Sequence, residues 1–143
     1  MYNILKHAHS GIAYLLLLAL VIALVYNIIG WAGNKAFTKG NKIAALIGFI
    51  SSHLQLLLGL ILYFVSPLGL SNLSGETMSD SMSRLYALEH PLTMIIAIVL
   101  ITIGYSKSKR AEDDKSKYKK IVLFYAIGLI LILSRIPWSV WPA

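Results

Sequence analysis

LYALEHPLTMIIAIVLITIGY, residues 85–105, is an apolar run broken near one end by Glu89, His90 and Pro91. It is long enough to cross a bilayer as a helix, which takes about 20 apolar residues at 1.5 Å rise each. A helix starting only at Pro91 would reach about 22 Å and fall short. The spacing therefore predicts a helix from about residue 81 to about 106, with Asp80 as its N-cap. Pro91 then lies inside the helix. Its missing N–H frees the carbonyl of residue 87 and predicts a kink beside His90, with that carbonyl available to receive the His90 Nδ1–H.

Outward from this run, the chain repeats its character. The 143 residues are 57% hydrophobic and 13% charged, whereas a soluble domain carries about 25% charged residues. Four apolar segments stand out, at 11–32, 43–66, 87–105 and 121–141. Each is close to the length a spanning helix needs. The expectation is an all-α membrane protein forming one domain over 1–143, a four-transmembrane-helix antiparallel bundle. The first segment is long for a signal peptide and has no small-residue cleavage site after it, so it reads as retained. With no cysteine in the chain, disulfides, thiolate metal sites and C-x-x-C-H haem attachment are excluded.

Charge sets the expected orientation. The connection 31–42 carries Lys35, Lys39 and Lys42 without an acid, and 106–120 carries six lysines and Arg110 against Glu112, Asp113 and Asp114. The connection after the second segment has only Arg84, with Glu76 and Asp80. By the positive-inside rule the two lysine-rich connections face the cytoplasm, placing both termini on the outer (periplasmic) side of a bacterial inner membrane. Trp138, Trp141 and Tyr86 fall at the outer interface and Trp31 at the inner one. The net charge of +7 is then topological, and the partner implied is a lipid bilayer rather than nucleic acid.

Four histidines remain to be explained, none in the inner half. Helical periodicity places His9, Ala13, Leu16, Leu20, Ala23 and Asn27 within about 40° of one line. His90, Met94, Ala97, Ile101 and Gly104 form a similar line on the third helix, and Ala45, Gly48, Ser52, Gln55 and Gly59 on the second. Stripes of small and polar residues face neighbouring helices. His9 and His90 thus point inward. His7 looks toward the interface, and His53 stands about 120° from the centre of its stripe, so it is a packing residue, an alternative partner of His90, or a polar group above a bound cofactor.

Two inward imidazoles on different helices are what a bis-histidine haem b requires, one nitrogen approaching the iron from each face. One haem per chain is expected, with His9 and His90 as metal ligands and His53 as the alternative. Gly59 with Ala13 and Ala97 makes room, and Gln55 lies on the same lining. Arg135, or Arg84, is positioned to pair with the propionates. Glu89, about 100° from His90, is a candidate proton-relay group or a loop-facing acid. No Gly-rich nucleotide loop or nucleophile triad is present.

The stretches HSGIAYL (9–15), LQLLLG (54–59), ALEH (87–90) and SRIPWSVWP (134–142) resemble one four-helix half of the haem A synthase and cytochrome oxidase assembly family. That resemblance implies a haem b ligated by a histidine at the start of one helix and another two helices later, which fall on His9 and His90. Over nearly its full length, including the borders FTKG (37–40) and IGYSKSK (103–109), the chain also resembles small membrane cytochromes b of Bacteroidota. The catalytic half of haem A synthase has a glutamate three residues before its first histidine. Lys6 stands there in this chain, and Ser10 follows His9 where that family has arginine, so the methyl-oxidising activity does not carry over. The expected function is electron transfer, or a redox or assembly subunit, as a homodimer or within a larger membrane complex. Two competing expectations are a quinol- or superoxide-reactive b-type oxidoreductase, which would need a second ligand pair, and a non-redox accessory subunit.

Overall fold

The structure, a computed structural model, describes residues 1–142, and all of its regular secondary structure there is helical. Four long helices follow one another: α1 (Tyr2–Ala32), α2 (Lys39–Val65), α3 (Ser81–Arg110) and α4 (Asp114–Ser134). The first three are long and apolar enough to cross a membrane.

Helix boundaries follow local chemistry. α2 starts at a capping box in which Asn41 Oδ1 accepts from the Thr38 backbone N–H at 2.9 Å while Thr38 Oγ1 accepts from the Asn41 N–H. It stops at Ser66, ahead of Pro67. The connection that follows holds two short 3₁₀ turns, Leu70–Asn72 and Thr77–Ser79, tied by a hydrogen bond from the Thr77 hydroxyl to the Asn72 carbonyl. Asp80 caps α3, its carboxylate accepting from the Ser83 backbone N–H at 3.1 Å and from the Ser83 hydroxyl at 2.6 Å. Asp113 caps α4 in the same way through the Ser116 N–H.

Two expectations need correction, and a third gains detail. The connection 106–120 is not a long loop: α3 continues to Arg110 and α4 starts at Asp114, so most of the lysines ride on helix ends. Lysine and arginine are good helix formers, and Lys107, Lys109 and Arg110 complement the dipole of the last turn of α3. The apolar segment 121–141 is helical only to Ser134, since Pro137 cannot continue the ladder. Its helical part, 121–134, covers about 21 Å, less than the roughly 30 Å hydrocarbon core. Finally, Pro91 produces a turn of π-helix over Leu85–Glu89, in which the His90 N–H reaches back to the Leu85 carbonyl.

Contacts along the bundle run antiparallel. His9 near the start of α1 meets Gln55 and Gly59 in the second half of α2, and Gly30 near its end meets Tyr118 at the start of α4. The inward stripes form the core: Leu16, Leu20 and Ala23 from α1, Ala45 from α2, Ala97 and Ile101 from α3, and Ile121, Tyr125 and Ile132 from α4. Glycines let the helices approach closely. A Cβ on Gly48 would meet Leu20 and Tyr125 at 3.3 Å, and one on Gly128 would meet Ile101 at 2.8 Å. This small-residue packing is the usual means of associating helices in lipid, where no hydrophobic effect draws them together. Buried hydroxyls find backbone acceptors, Tyr125 donating to the Ala45 carbonyl at 2.6 Å and Tyr118 to that of Ala36 at 3.0 Å. After α4 the chain turns back over α1, where Trp141 Nε1 donates to Ser10 Oγ at 2.9 Å and its ring packs on Tyr14.

Candidate functional site

α1 begins at Tyr2 rather than at residue 11, so His9 lies two turns inside the helix and reaches the depth of His90. The two rings face each other with centroids 6.3 Å apart and planes at 84°. His90 Nδ1 lies 2.7 Å from the Arg135 carbonyl oxygen. A carbonyl only accepts, so Nδ1 carries the proton and the lone pair of the neutral ring sits on Nε2. That nitrogen has no hydrogen-bond partner among the described residues. The Nδ1–H does not go to the carbonyl released by Pro91, as the spacing suggested. The Ala87 carbonyl is taken instead by the Tyr63 hydroxyl at 2.7 Å.

His9 is held by its surroundings rather than through its ring nitrogens. Gln55 Nε2 donates to its backbone carbonyl at 2.7 Å, and a Cβ on Gly59 would come within 3.0 Å of His9 Cε1. Among the described residues its Nδ1 is buried without a partner, as is Gln55 Oε1. Unpaired buried polar atoms of this kind cost about 1–3 kcal/mol each.

His53 differs in kind. Its Nδ1 gives its proton to the Phe49 carbonyl at 2.7 Å, and Nε2 lies 3.0 Å from Thr102 Oγ1 on α3, whose one hydroxyl proton is also within reach of the Ile98 carbonyl at 2.7 Å. Both nitrogens have a polar neighbour, and Phe49 stacks on the ring with centroids 4.1 Å apart. In this arrangement His53 lies against α3 through Thr102, a contact that Nε2 of His90 lacks among the described residues. His7 is exposed near the start of α1.

Glu89 joins the two arginines expected near the outer end. Arg84 Nε meets its Oε2 at 2.9 Å, and Arg135 Nε lies 3.9 Å from Oε1. Arg84 also donates to the Met78 carbonyl, and Arg135 to that of Ser134. Two cations on one carboxylate leave a surplus positive charge beside His90.

The sequence did not point to Tyr63, Thr102 or Trp141 in these roles. Tyr63 and Thr102 lie off the small-residue stripes, and Trp141 reads as an interface anchor. Their partners, Ala87, His53 and Ser10, sit on other elements. Only the Ala87 carbonyl had a sequence signal, the proline four residues on.

The donors discriminate among metals. Among the described residues no group of three or more His, Cys, Asp or Glu side chains converges, so a bare zinc ion with its four ligands is not served. Two imidazoles suffice for an iron whose other four ligands are macrocycle nitrogens. A metal bonded at about 2.0–2.1 Å to one nitrogen of each ring separates the two centroids by roughly 6 Å, the scale of the separation between His9 and His90. Ala13 and Ala97 stand one and two turns further along the same stripes, and Gly59 lies against His9. No protein-family model, curated protein or solved structure matches the chain.

Proposed function

We propose that this chain is a b-type cytochrome of the bacterial inner membrane, a bundle of four spans with both termini on the periplasmic side, holding one haem b between His9 and His90. The pairing of these two rings carries the reading: they come from facing helices, at a separation suited to one iron, and His90 presents a bare Nε2. The resemblance noted in the sequence points to the same two positions. A role for His9 in packing alone leaves its buried Nδ1 without return. The fourth span is α4, whose 21 residues cover about 31 Å, and Trp138 and Trp141 beyond its end suit the interface.

Bound haem supplies reversible one-electron oxidation and reduction. The chain's residues then have defined work. The Arg135 carbonyl orients the His90 imidazole and fixes its tautomer. Gln55 holds the backbone of His9. Leu16, Leu20, Ala97 and Ile101 keep water from the inner side of the site. Arg84 and Arg135 hold Glu89 and leave one positive charge at the outer rim, which suits the propionates or an anionic redox partner. Electron transfer, alone or as a subunit of a larger complex, follows from one haem near one face.

Purified protein should show split α and β bands on dithionite reduction and one haem per chain by pyridine haemochrome. His9→Ala and His90→Ala should each abolish the low-spin spectrum, while His53→Ala should keep it. A colourless preparation, or loss of the spectrum only with His53→Ala, overturns the assignment.

A further inference from the structure

At the opposite end of the bundle from His9 and His90, a cleft of about 60 Å³ opens where the start of α2, the end of α3 and the start of α4 meet. Three cationic side chains line it, Lys42, Lys109 and Lys117, one from each helix, together with Phe37 and Tyr105. No acid lines it, and among the described residues none of the three lysines forms an ion pair with a carboxylate. Its walls are fixed in place. Ser108, also at the lining, donates to the Lys117 carbonyl at 2.9 Å, and the Lys117 ammonium stands 5.8 Å from the centre of the Phe37 ring. The neighbouring cleft, by contrast, has Asp114 among its lysines.

We propose that this cleft binds the phosphate of an anionic lipid headgroup, such as that of phosphatidylglycerol. Three lysines lining one cleft without counter-ions offer a tetrahedral oxyanion charge and several donors. The volume matches roughly two waters, enough for one phosphate and too little for a nucleotide. The lipid source is favoured over free phosphate by the location. Lys42 leads directly into the exposed apolar side chains Ile43, Ile47 and Ile50 of α2, a surface for acyl chains continuous with the headgroup site. Basic pockets between helices on the cytoplasmic side are where anionic headgroups are held. The proposal rests on the membrane-spanning reading, but its test is independent of both sidedness and haem.

Native mass spectrometry of the full chain in neutral detergent, titrated with phosphatidylglycerol, should show one lipid retained per chain. The triple variant Lys42→Gln, Lys109→Gln, Lys117→Gln should bind about a hundredfold more weakly, since each lysine near a membrane surface contributes about a fivefold factor. Replacing the same three with arginine should restore binding, which separates loss of charge from loss of fold. Removing three exposed lysines at the same end, Lys39, Lys107 and Lys119, should leave it nearly unchanged. Equal weakening by both triple sets would overturn the proposal, because it would mean diffuse attraction. Displacement of the lipid by equimolar inorganic phosphate would overturn the lipid source. Cysteine labelling reports sidedness separately, so failure of the topology and failure of this site remain distinct.

Discussion

His53 and His90 both give an Nδ1 proton to a backbone carbonyl, yet their remaining nitrogens meet different fates. Thr102 lies 3.0 Å from Nε2 of His53, whereas Nε2 of His90 has no partner among the described residues and its ring centre stands 6.3 Å from that of His9. One hydroxyl on the neighbouring helix thus separates a packing histidine from a candidate ligand. Gly59 is equally specific, because its missing side chain is what lets His9 sit against α2. Gly59→Val should push the His9 ring away by several tenths of an ångström and cost about 1–3 kcal/mol through overpacking. The measurable outcome is a lower thermal midpoint together with a weakened or high-spin haem spectrum. An unchanged midpoint and spectrum would show that Gly59 does not govern the position of His9.

At the scale of elements, α3 is the most informative helix. Pro91 withholds one N–H, the turn before it widens to π geometry over Leu85–Glu89, and Tyr63 from α2 takes up the released Ala87 carbonyl. Tyr63→Phe should therefore destabilise the bundle by about 1 kcal/mol, within the range for a hydrogen bond between helices in a membrane. Thermal unfolding in detergent measures it, and a midpoint equal to wild type would remove Tyr63 from this role. The start of α3 depends on Asp80, whose carboxyl is held below its ordinary pKa first by the Ser83 hydroxyl and then by the Ser83 backbone N–H. Because the folded pKa lies below the unfolded one, the cap's contribution is present above the ordinary aspartate value and is lost as pH falls through the folded pKa. Hydrogen-exchange protection at 81–84, taken relative to the intrinsic rate at each pH, should fall on that acid side. Asp80→Asn, a capping side chain without a titrating proton, should flatten the response.

For the whole molecule, orientation is the property with the widest consequences. Seven cations lie between 106 and 120, and the helices place them together with Lys35, Lys39 and Lys42 at one end of the bundle. The proposed topology puts that end in the cytoplasm and the His9–His90 pair toward the periplasm. A cysteine at Ser74 should then react with an impermeant thiol reagent in intact spheroplasts, and one at Glu112 only after permeabilisation. The reverse pattern would place the histidine pair on the cytoplasmic side and change the class of redox partner.

Much of this architecture is local and so was legible in the sequence. Apolar length marked the helices, the 3.6-residue period identified the buried faces of Leu20, Ala45 and Ala97, and Asp80 announced a helix start. Those features depend on neighbours within a turn or two. Which imidazole meets which, and where each ring nitrogen finds its partner, depends on the depth and crossing of helices far apart in the chain. Periodicity places His9 and His90 on inward faces, but only the packed bundle brings their rings to 6.3 Å and gives His53 to Thr102. The same holds for the C-terminal end. Its hydropathy continues to Trp141, while Pro137 breaks the helix and the tertiary contact of Trp141 with Ser10 and Tyr14 decides where the tail lies.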